Sequence, residues 1–298
     1  MSHIYDAIMG VIVGDALGLP VEFKERDTYT LTDMVGHGTY DQPAGTWSDD
    51  SSMTLATLES LVRLGRFNAG DVMNNFLAWL WDAKFTPYDE VFDVGNATSR
   101  AITRFAKGHP TEECGGRELH DNGNGALMRI MPISLITPEN TGIAASMTHA
   151  HVISTFACCI YTSIVQNLLR GMSPTEAVTT SVSSHTAEIA VPTLSVYSRL
   201  SHVQYFERDE IKSSGYVVDT LEAALWSFLT TRSYRECLLK AVNLGKDTDT
   251  VGAIAGGLAG LYYSVGGNKG IPESWIAKIA RADQIASLCA AAELRFAV

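Results

Sequence analysis

Gly245-Lys246-Asp247-Thr248-Asp249-Thr250 runs straight into Val251-Gly252-Ala253-Ile254-Ala255-Gly256-Gly257-Leu258-Ala259-Gly260-Leu261, and the mostly apolar stretch continues to Val265. Apolar residues on every side of the helical wheel predict a helix buried all round. Its first turn carries two carboxylates and two hydroxyls. Far upstream, Ser48-Asp49-Asp50-Ser51 leads in the same way into Met53-Thr54-Leu55-Ala56-Thr57-Leu58-Glu59-Ser60-Leu61-Val62. Hard oxygen donors at the mouths of two core helices suit hard divalent cations. The pattern predicts one site built from both ends of the chain.

Working outward, Ile4, Ala7, Ile8, Val11, Ile12 and Ala16 recur at helical spacing, so a buried helix opens the chain. Gly10, Gly14 and Gly18 repeat along one side of it. Each helical glycine costs about 1 kcal/mol relative to alanine, and close approach of a second backbone is the ordinary reason to keep such a row. Pro20-Val21-Glu22-Phe23 ends the helix. Residues 24–47 are polar and irregular, with room for a short hairpin around Tyr29 to Val35.

Helices are then predicted from the first acidic cluster to about Gly65, over Ala69 to Ala83, and over Thr98 to Lys107, with a loop from Phe85 to Gly95. His109 to Gly125 reads as the longest loop. Ala126 to Met131 reads as a helical start stopped by Pro132, and Ile143 to Leu169 as one long helix or a pair. Ser173-Pro174-Thr175-Glu176 and Ser233-Tyr234-Arg235-Glu236 have the form of capping boxes. Glu188 to His202 is a weaker helical segment broken by Pro192, Thr220 to Thr230 is helical, and Pro272 begins a terminal helical pair. Strand alternation is nearly absent and no linker divides the sequence. The expected fold is all-α, a single domain over residues 1–298.

The chain has 298 residues, 46% of them hydrophobic, enough for a sizeable core. A formal net charge of −11 argues against a general binder of nucleic acid or anionic membrane. It leaves open an anionic substrate, because bound cations reverse the local sign. The five cysteines are odd in number and lack Cys-x-x-Cys spacing, so neither a disulfide framework nor a zinc site is expected. No basic leader precedes the first helix and the Val251–Val265 run is short for a membrane span. A cytoplasmic location is the expectation.

Each candidate residue also has an ordinary explanation. Asp, Ser and Thr at helix starts cap orphan N–H groups. One side chain suffices for a cap, however, and carboxylates are doubled at both sites. Gly123-Asn124-Gly125 is either a turn or an anion cradle. Arg129 is expected as a buried ion-pair partner. His149 and His151, two apart, would lie on different helix faces and chelate poorly; His149 is either a core histidine or a pocket residue. Glu22 at a helix exit and Asp93 in a turn can both be solvent-facing.

Taken in order, Gly14-Asp15-Ala16-Leu17-Gly18 with Pro20-Val21-Glu22-Phe23, Trp47-Ser48-Asp49-Asp50, Gly123 to Arg129, Thr148-His149 and Gly245 to Gly256 give the sequence its family likeness. It resembles the ADP-ribosylglycohydrolases, the group that includes the dinitrogenase reductase-activating glycohydrolase, nearly end to end. The resemblance implies an all-α fold with a binuclear centre of two divalent cations, Mg2+ or Mn2+. It implies Ser48, Asp49, Asp50, Asp247, Asp249 and Thr250 as metal ligands. Asp93, Gly95, Gly123, Asn124, Gly125 and His149 would line the ADP-ribose pocket, and Asp249, Asp50 or Glu22 would take a proton from water. The implied substrate is an ADP-ribosylated protein or a small ADP-ribose conjugate. Ser48 stands where threonine is usual, keeping the oxygen donor, and Lys246 where glycine is common.

Two other readings share parts of this pattern. A magnesium-dependent diphosphate lyase is also all-α with two acidic motifs, but it needs carboxylates repeating along a helix face, and after Asp50 no acid recurs until Glu59. A catalytically silent, ADP-ribose-binding or crystallin-like relative would be favoured by loss of an acidic ligand, and all four aspartates are present.

Overall fold

The computed structural model describes residues 3–298, and among these no strand forms. The helices are α1 (His3–Gly18), α2 (Asp49–Leu64), α3 (Ala69–Asp82), α4 (Asn96–Ala106), α5 (Thr111–Cys114), α6 (Met131–Ile136), α7 (Thr141–Ser146), α8 (Val152–Leu169), α9 (Pro174–Ser184), α10 (Thr186–Ile189), α11 (Val217–Leu229), α12 (Tyr234–Val242), α13 (Thr248–Tyr263), α14 (Glu273–Ile276) and α15 (Ala282–Phe296). Short 3-10 turns link them, and a longer 3-10 stretch covers Pro192–Tyr205.

The central pair is α1 against α13, packed along their whole length. The glycine rows of the two helices face each other: a Cβ on Gly10 would lie 2.3 Å from the Gly256 carbonyl oxygen, and one on Gly256 would lie 2.2 Å from that of Gly10. The propensity cost of these glycines is offset by backbone contact that no larger residue permits. Two further bonds fix the register. Thr248 Oγ1 donates to the Gly18 carbonyl at 2.8 Å and Tyr234 Oη to that of Gly10 at 2.8 Å.

The two acids inside α1 are accounted for by neighbouring elements. Asp6 accepts from the Val265 N–H at 3.0 Å, holding the exit of α13. Asp15 holds the start of α2. Helical segments His3–Val21 and Val152–Leu169 are apolar and long enough to cross a membrane, yet 94% and 67% of these windows are buried within the fold. They are core helices here.

A second apolar cluster gathers Met53, Val72, Phe76, Trp79, Ile102 and Met128 beneath α2, α3 and α4. All five cysteines are free thiols, four of them buried. At Ser173 the capping box is complete, with the hydroxyl and Glu176 each bonding the other's N–H. At Ser233 only half forms, because Glu236 reaches back to the Arg232 N–H instead.

Several expectations are corrected. The hairpin around Tyr29 to Val35 is absent, since Leu31 spends both backbone groups on the Asn243 side chain (2.8 and 2.9 Å) rather than on a partner strand. Pro132 starts α6 instead of stopping a helix, and residues 125–129 form turns. Proline suits a first helical turn because the N–H it lacks would be unpaired there. The loop from His109 to Gly125 contains α5 and a 3-10 turn at Leu119–Asp121. His149 and His151 lie between α7 and α8 rather than on a helix, with His151 capping α8.

Candidate active site

The first turns of α2 and α13 meet at the C-terminal end of α1, and the doubled carboxylates do not cap their helices. Neither Ser48 nor Asp247, the residues at the two N-cap positions, makes a side-chain cap bond. Asp15 does that work for α2 from across the core. Its carboxylate accepts from the Ser48 N–H (2.9 Å), the Ser51 N–H (3.1 Å) and the Ser51 hydroxyl (2.6 Å). Asp49 and Asp50 are thereby left without a capping duty.

Asp49, Asp50 and Asp249 are 6% exposed or less, and their environment is hostile to charge. Burial, then the neighbouring acids, holds Asp49, Asp50 and Asp249 well above the usual carboxylate range. Burial, then Asp93 and Asp247, pushes Glu22 up to about 9; burial alone pushes Asp15 up, to about 6, against its own hydrogen bonds. Asp50 Oδ2 takes the Ser48 and Thr250 hydroxyls at 3.1 and 3.4 Å, and Asp249 Oδ1 takes the Thr250 N–H at 2.9 Å. Their other oxygens, Asp50 Oδ1 and Asp249 Oδ2, are buried without a hydrogen-bond partner, as is Glu22 Oε2.

Carboxylate oxygens of Asp15, Asp50 and Asp249 lie within 4.8 Å of one another, and so do those of Glu22, Asp247 and Asp249. Unpaired carboxylates so close together need protons or cations between them. Two overlapping groups of carboxylates sharing Asp249, with orphaned lone pairs inside, fit hard divalent cations in donor type. Asp15 already holds three N–H and O–H donors, so we read it as a support for α2 rather than a ligand.

Above this floor opens a cleft of about 510 Å³. Glu22, Asp49, Asp93, Asp247 and Thr250 line its acidic side, while Asp50 and Asp249 lie beneath. Gly95, Gly123, Asn124, Gly125 and His149 line the remainder, so every pocket candidate read from the sequence reaches this one cleft. Ser48 lies just below it, bonded to Asp50.

The glycine loop differs from expectation. It leads into turns rather than a helix, so no helix dipole points at the cleft from it. Asn124 is a brace: its N–H donates to the Gly215 carbonyl at 3.2 Å, and its amide to Asp247 Oδ2 at 2.8 Å and Thr220 Oγ1 at 3.0 Å. Arg129 is fully buried but, among the described residues, makes no ion pair. It donates to the Ala144 carbonyl at 3.0 Å and Thr148 Oγ1 at 2.8 Å, and its guanidinium carbon lies 4.8 Å from the Phe76 ring centroid. Lys246 is exposed, at φ +65°, and pairs with Glu25, away from the cleft.

Sequence reading missed four residues here. Tyr40 hydrogen-bonds both Glu22 and Asp93, which are 18 and 53 residues away in the sequence and join only through the fold. Phe23 stands at the mouth, 64% exposed and held at φ +62°. Arg100 lines the cleft and pairs with Asp121 at 2.7 Å. Asp15 was visible only as one acid within an apolar helix; its partners are 33 and 36 residues away.

The family model for ADP-ribosylglycohydrolase matches residues 1–297. The chain is 32% identical to ADP-ribosylarginine hydrolase Tri1 of Serratia proteamaculans, over 95% of this chain and 76% of that protein. It is also 32% identical to the ADP-ribosyl-(dinitrogen reductase) glycohydrolase of Rhodospirillum rubrum, over 92% of this chain and 88% of the relative. A solved structure described as an ADP-ribosylglycohydrolase-related protein complex superposes with a TM-score of 0.82 and 31% identity, covering 99% of this chain and 98% of that one.

Proposed function

The chain belongs to the ADP-ribosylglycohydrolase family, and from that membership we propose that it releases ADP-ribose from arginine side chains of modified proteins, using two divalent cations, Mg2+ or Mn2+. It is a hydrolase of glycosidic bonds to ADP-ribose, in a family whose members depend on metal. The observation that carries the metal part of the reading is the set of buried, unpaired oxygens on Glu22, Asp50 and Asp249.

In this reading Ser48, Asp49, Asp50, Asp247, Asp249 and Thr250 hold the cations, with Asn124 fixing the Asp247 carboxylate. When bound, the cations supply Lewis acidity toward ribose hydroxyls and water. Glu22 is the one residue of the candidate bases Glu22, Asp50 and Asp249 that lines the cleft. Bound cations would favour its carboxylate form over the acid form that burial favours without them, and we therefore assign it the proton released as water attacks the anomeric carbon, passed on to the acceptor nitrogen as the bond to that nitrogen breaks. Tyr40 orients Glu22 and Asp93 together. Gly95, Gly123, Gly125 and His149 form the wall against which the ADP-ribosyl group lies.

Support for an arginine acceptor comes from the named activity of the Serratia relative and from the chemistry of the mouth. A guanidinium leaving the cleft would pass Phe23, an exposed ring beside acidic groups, an arrangement suited to a planar cation. The silent-relative reading loses ground because every acidic candidate is present and converges. A cytoplasmic location remains part of the proposal, in keeping with five free thiols.

Calorimetric titration with ADP-ribose, with and without Mg2+ or Mn2+, tests this. Cation-dependent binding followed by release of ADP-ribose from an arginine-modified protein is expected. Binding that ignores cations would leave a reader of ADP-ribose rather than a hydrolase.

A further inference from the structure

Arg129 is a fully buried cation with no carboxylate partner among the described residues. Its Nη2 lies 2.8 Å from Thr148 Oγ1, and Thr148 Oγ1 lies 2.9 Å from His149 Nδ1. Thr148 is 0% and His149 2% exposed. The backbone around the pair is fixed on both sides: Gly116 N–H donates to the Thr148 carbonyl at 3.2 Å, Ala150 N–H to the Gly116 carbonyl at 2.7 Å, and His149 N–H to the Ala145 carbonyl at 3.1 Å.

Proton accounting then decides the ring. A guanidinium only donates, so Thr148 Oγ1 accepts from Arg129. The threonine proton is left with His149 Nδ1 as its partner, which requires a lone pair on Nδ1. Were Nδ1 protonated, Thr148 would accept twice and its own proton would be unpaired in a place closed to water, an arrangement buried hydroxyls avoid. An imidazolium is excluded by the same burial and by the neighbouring guanidinium, which together hold His149 down to about 3. The other charged groups near it, Asp121 and Arg100, pair with each other.

We propose that Arg129 and Thr148 are positioning residues that lock His149 as the Nε2–H tautomer, a neutral donor aimed into the cleft. Nε2 faces the wall at Gly123 and Gly125: a Cβ built there would lie 3.5 and 3.3 Å from it. The missing side chains leave the path to the ligand open. A group that can only donate selects an acceptor oxygen, and being uncharged it does not pair with the carboxylates opposite. That the oxygen belongs to ADP-ribose rests on the family reading above; the tautomer does not.

The test is a two-bond proton–nitrogen correlation spectrum of histidine-labelled protein at neutral pH, with His149→Gln assigning the His149 signals. Protonated Nε2 and unprotonated Nδ1 are expected in the wild type. A protonated Nδ1 or an imidazolium overturns the proposal, whatever ligand the protein takes. Thr148→Val should give mixed tautomers and bind ADP-ribose about tenfold more weakly, the scale of one hydrogen bond to a charged acceptor. Thr148→Ser, which keeps the hydroxyl, should restore both. An unchanged tautomer in a folded Thr148→Val protein, or loss of the lock in Thr148→Ser, also overturns it. Should Thr148→Val not fold, the wild-type and Thr148→Ser spectra decide. Absence of ADP-ribose binding by the wild type would sink the ligand reading alone.

Discussion

Gly14 of α1 and Gly252 of α13 approach so closely that a Cβ on Gly14 would lie 2.1 Å from the Gly252 carbonyl oxygen. The next residue along α1 is Asp15, which caps α2, and three residues before Gly252 is Asp249. The glycine contact therefore sets the distance between the two halves of the proposed cation centre. Gly252→Ala should destabilise the protein by about 1–3 kcal/mol or more, as overpacking at a rigid backbone contact does. Thermal unfolding checks this. Any folded fraction should also gain less stability from Mn2+ than the wild type does.

Asp50→Asn and Asp249→Asn remove charge from a place where it is repelled. Turnover is expected to fall about 100-fold or more, the scale of losing a group that organises charge at a reacting centre. Stability in chelator-containing buffer should hold or rise. Paired measurements of rate and melting temperature test this; melting far below wild type in chelator would mean the carboxylates serve the fold instead.

Asp15→Ala is expected to behave in the opposite way. Its oxygens satisfy two backbone N–H groups and a hydroxyl, so its loss should cost about 1–3 kcal/mol with or without metal. Denaturant titration in chelator separates it from the Asp50 and Asp249 variants.

The metal-free protein should lose stability as pH rises. Asp15 and Glu22 have folded-state values raised to about 6 and about 9. Their protonated forms are favoured in the fold, so their stabilising contribution is complete below the ordinary carboxylate range near 4 and declines as pH climbs through 6 toward 9. Melting temperature measured in chelator at pH 5 and pH 8 should be lower at pH 8. Saturating Mn2+ should narrow or reverse the difference.

Gly123 and Gly125 should differ under the same substitution. A Cβ on Gly123 meets nothing nearer than 3.5 Å, whereas one on Gly125 would lie 2.8 Å from His149 Cε1 and 3.0 Å from Thr98 Oγ1. Gly125→Ala should weaken ADP-ribose binding by displacing His149, and Gly123→Ala should weaken it less, since its Cβ only narrows the path in front of Nε2. Only a bulkier change such as Gly123→Val should close the cleft. Calorimetry on the three variants ranks them.

Much of this was readable from the chain because the informative residues are adjacent to one another. Asp49-Asp50 and Asp247 with Asp249 announce themselves as doubled acids at helix starts, and Gly10, Gly14 and Gly18 announce a close partner by their spacing. What escaped reading depends on pairing across the fold. Asp15 and Tyr40 are single residues whose partners lie in other elements. The Leu31 segment resembles a strand until Asn243, more than two hundred positions on, takes both its backbone groups. Arg129 looked like half of an ion pair because buried arginines usually are; here a threonine, a carbonyl and an aromatic ring stand in for the acid.

The division of the centre between Asp49-Asp50 and Asp247-Asp249 also bears on biosynthesis. A chain emerging from the ribosome exposes its first acidic cluster long before the second exists, and α1 has no glycine-lined partner until α13 has been made. No portion of the cation centre can be occupied productively during most of translation. Catalytic competence should therefore arrive late and at once, and a product cut short before Gly245 should lack the helix that α1 packs against, half of the cation centre and all activity.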